Sequence, residues 1–158
     1  MKQHMISRKL FGSTFILTLF MFMPQLEATE GALSPVGLWR TIDDSTNEPK
    51  SVVQIVERNG KLYGTIKSLM LKPGQDPNPL CKECQGTNHN KPMIGLQILW
   101  DLQKDGNEWA GGRILDPDNG KDYKCFIEVT EGGKRLKVRG YLGFALLGRT
   151  QHWERVTQ

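Results

Sequence analysis

The chain has 158 residues with 21 Lys and Arg, 17 Asp and Glu and a formal charge of +4, and its three Cys and eight Pro are spread rather than periodic. That composition excludes a collagen-like, coiled-coil or charge-driven disordered chain, and the basic residues are interleaved with acids, so no nucleic-acid footprint is indicated. The length suits one domain with a core that needs neither metal nor many disulfides.

Residues 1–28 read as a secretory signal. Lys2, Arg8 and Lys9 make a positive start, and residues 11–23 are apolar except for Gly12, Ser13, Thr14 and Thr18. Pro24 ends the run, and Leu26-Glu27-Ala28 supplies a cleavage site. The apolar stretch is too short to span a bilayer comfortably, although a retained anchor is the competing reading. Cleavage would leave 130 of the 158 residues, with 18 basic against 16 acidic side chains and no transmembrane segment. A periplasmic or secreted protein is therefore expected, with residues 29–36 as a flexible lead-in and 37–158 as a single β-domain.

Eight strand-like segments follow, at 38–43, 51–57, 61–71, 94–103, 109–115, 122–130, 135–142 and 145–156, and no helix is expected. Asn59-Gly60 is a hairpin turn in which both residues tolerate positive φ. Asp105-Gly106-Asn107, Asp116-Pro117-Asp118-Asn119-Gly120 and Glu131-Gly132-Gly133 are further turns, short enough to force antiparallel pairing. In 94–103, Ile94, Leu96, Ile98, Trp100 and Leu102 share one face, with Leu99 the exception on the other. Tyr123, Cys125, Ile127 and Val129 alternate with Lys124 and Glu128, and Leu136 and Val138 with Lys137 and Arg139. A sheet with one dry face must fold over to bury it, and closure also removes the exposed edges. The first and last strands both carry Trp and Arg, so the expected fold is an all-β antiparallel meander closing into a barrel at a seam between the segments of Trp39 and Trp153.

The connection at 72–92 breaks this rhythm, being rich in Pro and holding Cys81-Lys82-Glu83-Cys84. In an oxidising compartment the pair most simply forms a local disulfide, worth about 2 kcal/mol by loop entropy. A redox-active pair is a second reading, but the helix N-terminus that would lower a thiol pKa is not predicted. Metal binding by Cys81, Cys84 and His89 is a third, and it lacks a local fourth ligand. Cys125 lies on a dry face and reads as a small buried hydrophobe.

Catalytic signatures are absent from the motifs: no nucleophile elbow, phosphate loop or His-Glu-x-x-His occurs. Asp116, Asp118 and Asp122 look like a carboxylate cluster, but turn chemistry explains them better. No cofactor is expected. On the last strand Leu147, Arg149, Gln151, Trp153 and Arg155 share a face. With Trp153 inward, Arg149 and Gln151 become interior polar groups that need partners. Either Arg149 or Arg155 covers Trp39 as a structural plug, or it anchors a ligand; Arg113, on the strand of Trp109, fits either part. The candidate ligand-contacting set is therefore Trp109, Arg113, Arg149, Gln151 and Trp153.

Taken together, Gly37-x-Trp39, Gly60-Lys61-Leu62-Tyr63-Gly64, Cys81-x-x-Cys84, Lys91-Pro92-x-Ile94-Gly95, Gly112-x-Ile114-x-Asp116-Pro117-x-x-Gly120-Lys121-x-Tyr123, Gly140-Tyr141-x-Gly143 and Gly148-Arg149-Thr150-x-x-Trp153-x-Arg155 resemble the bacterial family of domain of unknown function 2147. The resemblance spans nearly all of the chain after the signal. It implies an exported protein with a lipocalin-like barrel, in which an opening Trp and a late Arg pack at the closed end. The expected function is non-enzymatic binding of a small, partly apolar or amphipathic ligand. Two rival expectations are an envelope-associated interaction protein using the loop at 72–92 and a thiol-redox enzyme using Cys81 and Cys84.

Overall fold

The computed structural model describes residues 33–157, so the expected signal at 1–28 lies outside the described residues. Eight strands run in chain order: β1 (Gly37–Ile42), β2 (Pro49–Arg58), β3 (Lys61–Leu69), β4 (Gln97–Asp105), β5 (Glu108–Asp116), β6 (Lys121–Thr130), β7 (Arg135–Tyr141) and β8 (Gly148–Arg155). Each pairs antiparallel with the next, and β1 closes on β8, so the sheet is a barrel with the expected seam. The seam is short, pairing Trp39 with Arg155 and Arg40 with Glu154, and Val156 N–H extends it by donating to Leu38 O.

Period-two alternation sets the inside. Ser51, Val53 and Ile55 on β2, Leu62 and Ile66 on β3, Cys125 and Ile127 on β6, and Leu136 and Val138 on β7 are all buried. β4 departs from the expected pattern. Leu99 is fully buried while Trp100 is only half-buried, and Ile94 is exposed ahead of the strand. The reason lies in the pairing: Asp101 takes φ +62°, and the register with β3 slips on both sides of the Gly64–Leu99 pair. Such bulges pass a strand's inward face from one set of residues to the other. Gly64 permits this, since a Cβ there would lie 2.9 Å from the Leu99 side chain. The ends also differ: β3 stops at Leu69, and residues 142–147 form a connection rather than parts of β7 and β8.

One end of the barrel is shut. Trp39 is buried, and its Nε1–H donates to Pro35 O at 2.7 Å. The Arg155 guanidinium sits 4.2 Å from the Trp39 ring centroid and donates to Gly133 O at 2.6 Å, Ser34 O at 2.6 Å and Val36 O at 3.2 Å. Of the two candidate arginines, Arg155 is thus the plug, and it ties residues 34–36 of the expected flexible lead-in across the barrel base. Above it Ile55, Leu62, Leu102, Trp109, Ile127 and Leu136 fill that half of the interior.

Candidate functional site

The opposite half is not filled. A cavity of about 370 Å³ opens at the ends of β1, β3, β5 and β7, within the volume range of small-molecule sites. Ile66, Ile98, Ile114, Leu115 and Val138 wall it, and the buried Trp153 lies at its inner side. Thr41 and Ser51 are the buried polar side chains on the wall. Their hydroxyls satisfy each other at 2.8 Å, and Ser51 N–H donates to Thr41 Oγ1 at 3.1 Å, so they leave the wall effectively apolar.

Polar groups gather at the mouth. Trp153 Nε1–H donates to Gln151 Oε1 at 3.2 Å, and Gln151 Nε2 donates to Asp44 Oδ2 at 3.3 Å. Arg149 pairs with the same Asp44 oxygen through Nε and a terminal nitrogen. The parity of β8 produces this row, because residues 149, 151 and 153 all face inward while the strand rises toward solvent. Asp44 was not among the sequence candidates. It sits on the β1–β2 connection, 105 residues from Arg149, beside an Asx turn in which Asp43 accepts Ser45 N–H and Thr46 N–H. The Ser45 hydroxyl and these amides hold the Asp43 carboxyl well below the usual carboxylate range. Lys50 completes this side of the rim, pairing with Asp118 and lying 3.9 Å from Asp43.

Arg149, Gln151 and Trp153 therefore border the cavity as a connected set, whereas Trp109 and Arg113 stand away from it. Trp109 belongs to the packed half near the closed end, with Lys104 5.6 Å from its ring centroid. Arg113 points outward and meets Asp122 at 3.7 Å. Trp109 faces inward but lies in the filled half, and Arg113 faces outward between the buried Gly112 and the cavity-lining Ile114.

The connection at 70–96 folds over one side of the mouth. Cys81 and Cys84 are joined as a disulfide and both are buried. Cys81 N–H donates to Lys91 O, Asn90 N–H to Cys81 O and Met93 N–H to Pro79 O, making a small folded hairpin whose Met93 lines the cavity. It rests on the β5–β6 turn, where Gly120 takes φ +70° and approaches so closely that an added Cβ would lie 1.8 Å from Glu83 O. In that turn Asp116 spends its carboxylate on Asp118 N–H and the Asn119 amide, both at 3.0 Å, which is turn chemistry. His89 meets Cys84 O at 3.0 Å through Nδ1. The remaining thiol, Cys125, is buried on β6, and burial pushes it up to about 12.

Residues 37–155 match the model of a family described as an uncharacterized protein conserved in bacteria, DUF2147. Among solved structures, the chain is similar to one titled "Protein HP1028 from the human pathogen Helicobacter pylori belongs to the lipocalin family", with a TM-score of 0.68 and 23% identity over 79% of this chain and 84% of that one. At that identity the likeness is one of fold. No curated protein matches the chain significantly.

Proposed function

This chain belongs to the DUF2147 family of bacterial proteins and has a lipocalin-like barrel, and from that premise we propose that it works outside the cytoplasm as a binder of a small, largely apolar amphiphile. The cavity is the observation that carries the reading: about 370 Å³, mostly apolar walls whose Thr41 and Ser51 hydroxyls satisfy each other, and charged groups at the mouth. A ligand with an apolar body and one polar end matches that division, since it would leave no buried polar group unpaired. Arg149 and Gln151 are the groups proposed to meet the polar end, and Trp153 the apolar body. Asp44 already neutralises Arg149, so an anionic end would have to displace that carboxylate, whereas a neutral hydrogen-bonding end joins the row without breaking it. A neutral head is therefore favoured.

Export is supported by the basic start and apolar run of residues 1–28 and by the Cys81–Cys84 disulfide. N-terminal sequencing of the protein from its own cells should begin at Thr29. A mature chain still starting at Met1 would refute the cleavable signal.

Native mass spectrometry of the same material should reveal bound added mass, and titration with neutral long-chain alcohols or monoglycerides should change Trp fluorescence saturably. Val138→Trp, which fills the cavity from its wall, should abolish both signals while the fold persists. Equal titration curves for the variant and the natural chain would sink the binding reading. The thiol-redox reading draws less support, because both sulfurs are shielded from a second thiol. The interaction-loop reading is weakened by the packing of 70–96 on the barrel itself, where the loop acts as a wall.

A further inference from the structure

The connection between β7 and β8 reads Leu142-Gly143-Phe144-Ala145-Leu146-Leu147, six residues without a polar side chain. Leu142 and Leu147 border the cavity mouth, yet the large side chains stay exposed: Leu142 is 58% exposed, Phe144 79%, Leu146 91% and Leu147 74%. The exposure is held in place. Arg139 Nε donates to Ala145 O at 2.8 Å, one of its terminal nitrogens to Leu146 O at 3.2 Å and the other to Thr150 Oγ1 at 2.7 Å. A contiguous exposed apolar patch of this kind marks an interaction surface.

We propose that this loop is a membrane-docking tip, which inserts Phe144 and Leu146 into a bilayer containing anionic lipid and so sets the cavity mouth against the lipid surface. The chemistry beside the tip favours a bilayer over a protein partner. Phe126 and Tyr141 pair their rings at 6.4 Å, and Lys137 sits over the Phe126 ring. Phe126, Lys137 and Arg139 share an outer groove with Phe144 and Leu146. Among the described residues, neither Arg139 nor the neighbouring Lys124 lies within ion-pair distance of a carboxylate. An exposed apolar tip flanked by aromatic rings and unpaired cations offers contacts to hydrocarbon, interface and anionic headgroup together.

The inference stands whether or not the cavity holds a ligand, because its readout is vesicle binding. The protein as it leaves the cell is floated with vesicles of phosphatidylethanolamine and phosphatidylglycerol at 3:1, and with pure phosphatidylcholine, at about 0.1 M salt, where surface charge still acts over about 10 Å. Binding is expected to the first mixture and to be weaker to the second. Phe144→Ser with Leu146→Ser should lower the partition coefficient at least about tenfold, with an unchanged melting curve because both side chains are exposed. Lys124→Glu should weaken binding to the anionic vesicles alone, and added salt should mimic it. Absence of binding by the natural chain, or equal partition of the double variant, overturns the proposal. So does sedimentation showing a dimer that the double variant dissolves, since the loop's occupant would then be a second copy of the chain.

Discussion

Replacing Arg155 by alanine should cost this barrel about 3 kcal/mol, by the following count. The side chain donates to three backbone carbonyls, Gly133 O and Ser34 O at 2.6 Å and Val36 O at 3.2 Å, and covers the buried Trp39 ring at 4.2 Å. Hydrogen bonds from a charged donor contribute about 1.5–3 kcal/mol each. Water can reach the Val36 carbonyl after the change, since Val36 is 38% exposed, and that bond returns little. Gly133 is buried, and its abandoned carbonyl carries most of the penalty. Loss of the cation from the ring adds about 1 kcal/mol. Against a stability of about 5–15 kcal/mol for such a domain, this is a large fraction, equivalent to roughly 10 °C in Tm. Urea unfolding followed by Trp fluorescence should show a lower midpoint with an unchanged slope. Arg155→Lys keeps the charge but not the fork, and should recover less than half of the loss. Arg149→Ala is the control: its ion pair with Asp44 is 60% and 38% exposed and is worth at most about 1 kcal/mol. If Arg155→Ala melts within about 0.5 kcal/mol of the natural chain, or Arg149→Ala proves the more damaging, the assignment of the plug is wrong.

Gly120→Ala should destabilise by about 3 kcal/mol, because strain at φ +70° adds to a collision with Glu83 O, whereas Gly106→Ala, at φ +56° with no atom within 4 Å, should cost only about 1 kcal/mol. Equal losses at the two sites would show that the disulfide hairpin does not rest on the β5–β6 turn. Replacing Cys81 and Cys84 by Ala should lower stability by about 2 kcal/mol and leave the far-ultraviolet spectrum unchanged. In the natural chain Ellman's reagent should find no thiol while folded and one after unfolding without reductant; a thiol reactive in the folded state would contradict the burial of Cys125. Because burial raises the Cys125 thiol to about 12 from an ordinary 9.0, the folded state holds that proton more tightly than the unfolded chain does. The stability so contributed is whole below about pH 9 and drains as pH rises toward about 12, by at most ~1.4 kcal/mol per pH unit. Cys125→Ala should flatten that part of the pH profile, and an unchanged slope in the variant would point to other groups.

The barrel was legible because its signals are local. Alternation along β6 and β7 and the turn chemistry at Asn59-Gly60 and 116–120 act within a few residues, and they recur in the structure close to where the sequence places them. The seam was legible too, since only the first and last strands remain unpaired once the hairpins are drawn. What the chain alone left open depended on contacts between distant segments. Arg149 and Arg155 share a face of β8 and look alike in sequence; the Gly133 carbonyl and the Trp39 ring select Arg155, while Asp44 claims Arg149. The inward set of β4 changes at a bulge whose position is set by its register against β3, so alternation in β4 by itself misassigned Leu99 and Trp100. Trp109 and Arg113 lie outside the candidate site because of their place in the closed barrel, Trp109 inward at the filled end and Arg113 on the outer face. Residues 145–147 read as part of the last strand, and only the folded chain shows them outside, with Arg139 holding the carbonyls of Ala145 and Leu146. Period and turn residues specify that a sheet forms and closes, for these are short-range preferences of the backbone. Which end stays hollow, and which polar groups meet there, follows from the register and shear of the closed sheet, which no single segment encodes.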